Sequence, residues 1–357
     1  MSIRVLVAED SHVARELIVR ILRSDSRIEV VGMASNGEEA VEAVIRLKPD
    51  VITMDINMPG IGGYEATRRI LEIQPTPIVV VSSSVDPKET ATTCDALEAG
   101  ALAAVQKPMG PGHPAHEETA RVLTQTVKLM SEVKVIRRWP RRLQENHITQ
   151  SAVEPFKPLP IDIQIVAIGA STGGPQALQS ILSVIPRDFP APIVIVQHMA
   201  PGFMAGFAHS LTRSCGLPVR VASHAEALLP AHVYLAPDGF QMGVDKQGRI
   251  GLSNGVPEGG LRPSVSHLFR SVSKAYGRKA VGVILTGMGR DGAVELGLMR
   301  AAGAITIAQD KESSVVHGMP AEAIKINAAM YVFSLSQIAA ALKSLINGSN
   351  PGIHNGR

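Results

Sequence analysis

The sequence predicts two α/β units in tandem, each built on a mostly parallel sheet with helices on both faces. Three observations carry this. Between Ile3 and Val135, strand-like and helix-like runs alternate five times. From Arg137 to about Pro160 the chain turns polar, basic and proline-dotted, which reads as a linker. From Ile161 a second alternation of strand and helix patterns begins. Repetition of this kind gives sheets buried on both faces, with sites beyond the carboxyl ends of the strands. The expected division is a first domain over 1–125, a linker over 126–160, a second domain over 161–347 and a disordered tail over 348–357.

In the first unit the strand-like runs are Ile3–Ala8, Glu29–Ala34, Val51–Met54, Ile78–Val81 and Ala101–Val105. The helix-like runs are His12–Arg23, Gly37–Leu47, Tyr64–Ile73, Lys88–Ala99 and Glu117–Val135. In the second, strands are expected at Ile163–Ile168, Ile193–Gln197, Val219–Ala222, Val233–Leu235, Gly282–Leu285, Ala304–Ala308 and Tyr331–Phe333. Gln241–Ser253, with Asp245-Lys246-Gln247-Gly248 at its centre, reads as an inserted hairpin. Helices are expected at Gln176–Ile185, Ala293–Ala301 and Leu335–Ile346.

Composition excludes several classes. With 45% hydrophobic and 19% charged residues in 357, the chain is globular and long enough for two cores. Aromatics are only 3%, so those cores are aliphatic. A net charge of +3 gives no general affinity for nucleic acid, and no helix-turn-helix pattern appears. The two cysteines, Cys94 and Cys215, have neither disulfide nor zinc spacing and suit a reducing compartment. The start reaches Glu9 and Asp10 before a signal-peptide core can form, and no apolar run has the length of a membrane span. A cytoplasmic protein without membrane insertion is expected.

The first unit gathers charge at its strand ends. Glu9 and Asp10 follow the first strand, Asp55 the third, Ser82 the fourth and Lys107 the fifth. Facing carboxylates repel, and Mg²⁺ with oxygen ligands would compensate them while leaving positions for phosphate oxygens. Asp55 could then accept a phosphoryl group, with the Lys107 ammonium stabilising the transferred charge. One such acid is ordinarily a strand-end polar group capping a helix; five residues gathered at four strand ends are a weaker case for that. With these positions set out, residues 1 to about 125 resemble a response-regulator receiver domain, which implies a flavodoxin-like fold with a five-stranded parallel sheet. By that resemblance Asp55 is the phospho-acceptor. Glu9, Asp10 and Asp55, with the backbone carbonyl of Asn57, are the Mg²⁺ ligands, and Ser82 and Lys107 are the switch residues. Ala104 departs from the family, which has an aromatic switch residue three positions before the lysine.

In the second unit, Ile168-Gly169-Ala170-Ser171-Thr172-Gly173-Gly174-Pro175 joins a strand-like run to a helix-like one. A serine on such a turn exposes its hydroxyl and can become a nucleophile. The same glycine-rich turn can equally cradle a phosphate, and these residues alone leave both readings open. Two other strands end in suitable partners. Pro192–Met199 ends in His198, and Ala280–Gly292 carries Asp291 in a glycine-rich turn whose N–H groups could serve an oxyanion. Among eleven histidines one at a strand end is unremarkable, and Asp291 could instead be the N-cap of Ala293–Ala301. A dinucleotide site would want an acid at the end of the strand that closes in Gln197-His198, which disfavours that reading. A phosphorylation-driven binding module without chemistry is the remaining rival, and the three intact residues argue against it.

The stretches Ile168–Pro175, Gln197–Phe207, Tyr234–Asp238, Leu285–Ala293 and Ala308–Ala323 resemble the catalytic domain of the chemotaxis response-regulator protein-glutamate methylesterases, the CheB family. That family also places a receiver first. The resemblance implies a doubly wound, mostly parallel α/β methylesterase domain, with Ser171 as nucleophile, His198 as general base and acid, and Asp291 as orienting acid. Thr172 and the backbone at Met288 assist at the oxyanion. It further implies hydrolysis of glutamate γ-methyl esters on a chemoreceptor's cytoplasmic domain with release of methanol, and deamidation of receptor glutamines. A histidine kinase would be the phosphodonor, no cofactor would be needed for the ester reaction, and the protein would be monomeric. His317 stands in Val315-Val316-His317-Gly318-Met319-Pro320, where the family commonly has other residues; it is expected to border the pocket.

Overall fold

A computed structural model describes residues 2–83, 87–133, 135 and 162–347. The basic cluster around Trp139, most of the expected linker, and the tail lie outside these residues. The chain divides into two compact units, each centred on one parallel sheet.

The first unit runs β1 (Ile3–Ala8), α1 (His12–Arg23), β2 (Ile28–Ala34), α2 (Gly37–Leu47), β3 (Val51–Met54), α3 (Gly62–Ile73), β4 (Ile78–Ser82), α4 (Pro87–Ala99), β5 (Ala103–Gln106) and α5 (His116–Ser131). Its strands lie in the order β2-β1-β3-β4-β5, all parallel. β1, β3 and β4 are apolar and inaccessible almost throughout, as central strands covered on both faces must be. Short polar side chains start the first two helices: Ser11 caps α1, and Asn36 accepts from the Glu39 N–H at 2.8 Å to cap α2. The chain leaves β1 for β2 on one side and passes to β3 on the other, so β1 and β3 flank the topological switch point.

The remaining described strands and α-helices, in chain order, are β6 (Ile165–Ala170), α6 (Gly174–Leu182), β7 (Ile193–Gln197), α7 (Met204–Cys215), β8 (Val219–Val221), β9 (Val233–Leu235), β10 (Gln241–Val244), β11 (Ile250–Ser253), α8 (Val265–Tyr276), β12 (Ala280–Ile284), α9 (Ala293–Ala301), β13 (Ile305–Gln309), α10 (Met319–Lys325), β14 (Tyr331–Phe333) and α11 (Leu335–Asn347). Seven strands form one parallel sheet in the order β14-β13-β12-β6-β7-β9-β8. The expected hairpin is present as the antiparallel pair β10–β11. The core is aliphatic with few aromatics; Phe269 and Tyr234 are fully buried in it. Here β6 is central, and the switch point lies between it and β12.

Many boundaries shift by a few residues from the sequence reading, β6 among them, which runs Ile165–Ala170 and not Ile163–Ile168; three shifts have a local reason. β5 starts at Ala103 and not at Ala101, because the Ala101 N–H bonds back to Ala96 O and closes α4 behind Gly100. α5 ends at Ser131 and not at Val135: the N–H groups of Glu132 and Val133 reach carbonyls only three residues back, which tightens and ends the turn. α6 starts two residues early, at Gly174, because Pro175 is tolerated in a first helical turn.

Candidate catalytic and phospho-acceptor sites

In the second unit, register brings three strand ends level. Ala170 pairs with Gln197 and Gly169 with Ile284. The ladder then continues one step beyond the strands, with His198 N–H donating to Ala170 O at 2.9 Å and Ser171 N–H to Thr286 O at 3.0 Å. Ser171 and His198 are therefore successive residues off two neighbouring strands, about 5 Å apart by strand spacing. Asp291 leaves the turn after β12 and reaches His198 from the other side.

The turn at Ser171 is held from below. Gln197 donates its amide to Ser171 O at 2.9 Å and to His198 O at 2.8 Å, so one buried side chain ties the two strand ends together. Gly173 supplies the left-handed conformation (φ 77°) that turns the chain into α6. Thr286 Oγ1 bonds Thr172 O at 2.9 Å and accepts from Val316 N–H at 2.9 Å, joining the serine turn to the segment before α10.

His198 Nε2 lies 3.0 Å from Asp291 Oδ2, with both side chains largely buried. An ionised carboxylate only accepts, so Nε2 carries a hydrogen, and in a neutral ring Nδ1 is then the nitrogen with the lone pair. Burial alone would raise Asp291, but hydrogen bonds from His198 and Ser266 outweigh it and hold its pKa at about 2. Among the described residues, the Ser171 hydroxyl is not bonded to His198, and the N–H groups of Thr172 and Met288 bond no protein acceptor. Nucleophile–base bonds often close only with substrate bound.

Asp291 does not cap α9: Gly292 is the N-cap there, with no side-chain cap bond. Its carboxylate instead faces the start of α8, accepting from Ser264 Oγ at 2.8 Å, Val265 N–H at 2.7 Å and Ser266 N–H at 3.0 Å. His317 pairs its backbone with Gly287, which packs against Ser171, and its Nε2 is buried without a hydrogen-bond partner.

In the first unit, Glu9, Asp10 and Asp55 bring carboxylate oxygens within 4.8 Å of one another beyond β1 and β3. Glu9 and Asp55 are inaccessible, while Asp10 is exposed. Lys107 Nζ lies 2.9 Å from Asp55 and 3.1 Å from the Glu9 carboxylate. Burial, reinforced by the Asp55 charge, raises Glu9 to about 7 against the pull of Lys107, and burial raises Asp55 as well. Lys107 is itself half-buried, yet the two carboxylates hold it above the usual lysine value. Asn57 donates its N–H toward Asp55 Oδ1 at 3.4 Å, and Ser82 O accepts from the Lys107 N–H at 2.8 Å. The donor set fits a hard divalent cation. It is all oxygen, it is in surplus of negative charge, and Glu9 Oε2 is buried without an aligned hydrogen bond.

The profile of the CheB methylesterase family matches residues 166–342, and that of the response-regulator receiver domain matches residues 5–114. A protein-glutamate methylesterase/protein-glutamine glutaminase of Nitrosospira multiformis is 55% identical over 96% of this chain and 97% of its own. The chain belongs to the CheB methylesterase family. A second relative of the same description, numbered 4 in Geobacter metallireducens, is 54% identical over 96% of this chain and 99% of its own. The crystal structure of the Thermotoga maritima CheB methylesterase catalytic domain is 39% identical with a TM-score of 0.50, and covers 52% of this chain and 100% of that one. The family resemblance and the two-sheet fold read from the sequence are both borne out, and a receiver domain brings phosphorylation as the mode of control.

Sequence reasoning missed Gln197 as a tie between strands, Thr286 as a clip, and Ser264, Val265 and Ser266 as the partners of Asp291. Arg262-Pro263-Ser264 before an amphipathic run is a visible helix-start signal. What it cannot carry is a contact to a residue 27 positions away.

Among the described residues, no helix is long and apolar enough to cross a membrane.

Proposed function

We propose that this chain hydrolyses glutamate γ-methyl esters, and deamidates glutamines, on the cytoplasmic domain of a methyl-accepting chemoreceptor by a Ser171–His198–Asp291 mechanism. The observation that carries the reading is the His198–Asp291 bond at a strand end level with Ser171. His198 Nδ1, left unprotonated by the bond at Nε2, takes the Ser171 proton as Oγ attacks the ester carbonyl. The N–H groups of Thr172 and Met288 receive the developing oxyanion. His198 returns the proton to the departing methoxide, methanol leaves, and water activated at the same nitrogen releases glutamate and regenerates Ser171. A glutamine amide follows the same course, with ammonia leaving.

Control comes from the receiver. Asp55 accepts a phosphoryl group from a histidine kinase, and Lys107 steadies the charge on the transferred oxygens. Glu9, Asp10 and Asp55, with the Asn57 carbonyl, would hold Mg²⁺, which neutralises charge on the incoming phosphoryl group. Ala104 in place of an aromatic residue leaves Ser82 and Lys107 to couple phosphorylation to the rest of the receiver.

The test is methanol release from a methyl-esterified receptor fragment, with and without a small phosphodonor. His198→Ala should lose turnover, and the phosphodonor should raise the native rate but not that of Asp55→Ala. Native turnover in His198→Ala, or equal stimulation of Asp55→Ala, would overturn the corresponding half.

A further inference from the structure

The start of α8 carries a serine that does not behave as helix caps do. Ser264 occupies the N-cap, where a serine oxygen ordinarily accepts from the N–H groups of the first turn. It makes no such bond. The first-turn N–H groups of Val265 and Ser266 go to Asp291, and the Ser264 hydroxyl, fully buried, donates to the same carboxylate. Asp291 is thus the cap of a helix to which it does not belong. Its Oδ1 accepts from Ser264 Oγ and Ser266 N–H, and its Oδ2 from Val265 N–H and His198 Nε2–H, so four donors occupy the carboxylate's acceptor positions. The positive end of the α8 dipole adds to them.

Ser264 is itself set by the hairpin. Gln241, at the start of β10 and 2% exposed, accepts the Ser264 N–H at 2.8 Å and anchors its own amide on Leu261 O at 2.9 Å. A buried path therefore runs from hairpin to Gln241, Ser264, Asp291 and His198. Other charges nearby are engaged elsewhere or face water. His267 and Arg270 of α8 pair with Glu258, Arg270 also pairs with Glu295 of α9, and Arg290 in the turn is exposed. His198 is the ionisable side chain in contact with the carboxylate.

We propose that Ser264, fixed by Gln241, is a positioning residue that sets both the aim of Asp291 and the strength with which it holds His198. The inference rests on the reading of Asp291 as the orienting acid. Taking away the Ser264 hydroxyl leaves the carboxylate under-satisfied, so it holds a protonated His198 more tightly and aims it less well. Both effects act on the reaction and not on substrate binding.

The test compares the full chain with Ser264→Ala, Ser264→Thr and Asp291→Asn, reading methanol release from a methyl-esterified receptor fragment against pH, with melting temperature as a control. Ser264→Ala should lower kcat about fivefold at unchanged KM, and move the acidic limb of the rate profile up by about half a pH unit, a single hydrogen bond's effect. Ser264→Thr, which keeps the hydroxyl, should restore both. A Ser264→Ala enzyme with native kcat and an unmoved limb, beside an inactive Asp291→Asn, would overturn the proposal alone. So would a lowered melting temperature with the limb unmoved, since that is a merely structural cap. Native turnover in Asp291→Asn would instead remove the orienting-acid reading beneath it.

Discussion

Replacing Gly287 by alanine tests whether Ser171 is held where the chemistry needs it. Gly287 is buried in the turn after β12, its N–H bonded to Val316 O and its carbonyl accepting from the N–H groups of Gly318 and Met319. A Cβ there would stand 2.5 Å from Met319 Sδ, 2.7 Å from Ser171 Cβ and 3.1 Å from Ser171 N. The thioether can swing aside. The serine cannot, because its N–H is bonded to Thr286 O and its carbonyl to Gly174 N–H and the Gln197 amide. Ordinary carbon contacts start near 3.4 Å, so the serine turn or the 287 turn must give by about 0.7 Å. A misplacement approaching 1 Å costs about 10- to 100-fold in rate, and overpacking of this kind costs about 1–3 kcal/mol of stability. The assay is methanol release at saturating substrate, with a thermal melt alongside. Gly287→Ala should remain folded and lose at least tenfold in kcat. A folded variant with native kcat would refute the claim that this contact fixes the nucleophile.

Three further outcomes follow from the two sites. Asp291 is depressed from 3.8 to about 2 by its hydrogen bonds against the opposing effect of burial, so its stabilisation is present above pH 4 and lost as pH falls through 2. Asp291→Asn should therefore cost about 2 kcal/mol at neutral pH, a difference that closes in acid unfolding below pH 2. Glu9 is raised to about 7, so a divalent cation competes with its proton. Mg²⁺ affinity of the full chain, followed by titration calorimetry, should fall as pH drops below 7, and a pH-independent affinity would exclude Glu9 as a ligand. Lys107→Ala leaves two buried carboxylates without their ammonium, and should slow phosphorylation by a small phosphodonor at least tenfold while leaving unstimulated esterase turnover near native.

Much of both sites was legible because parallel sheets put chemistry at strand ends. Glu9, Asp55 and Lys107 could be placed together from three strand boundaries, and the structure confirms their contact at 2.9–3.1 Å. Ser171, His198 and Asp291 were readable on the same ground. The strand order that makes them neighbours, β12-β6-β7, follows from a switch point and not from any one residue. What escaped was the support beneath them. Asp291 reads locally as the cap of the helix that follows it, and only the packing of α8 against that turn shows whose cap it is. Gln197 reads as a strand residue with no charge to recommend it, yet its amide ties two strand ends. Such contacts depend on side-chain direction across elements 20 to 30 residues apart, to which hydrophobic periodicity is blind. The start of β5 and the end of α5 differ from the sequence reading because a helix's last hydrogen bonds, and not its residue preferences, decide where it stops.

The most direct measurement is methanol release from a methyl-esterified receptor fragment by the native chain and by Ser171→Ala, with folding checked by melting. Ser171 stands at the strand end beside His198, bonded through its backbone to Thr286 and Gly174. Removing its hydroxyl leaves those backbone bonds in place and takes away only the attacking oxygen. Turnover should fall to background in a variant that melts as the native protein does. A folded Ser171→Ala chain that still releases methanol at the native rate would contradict the assignment of this serine as the nucleophile.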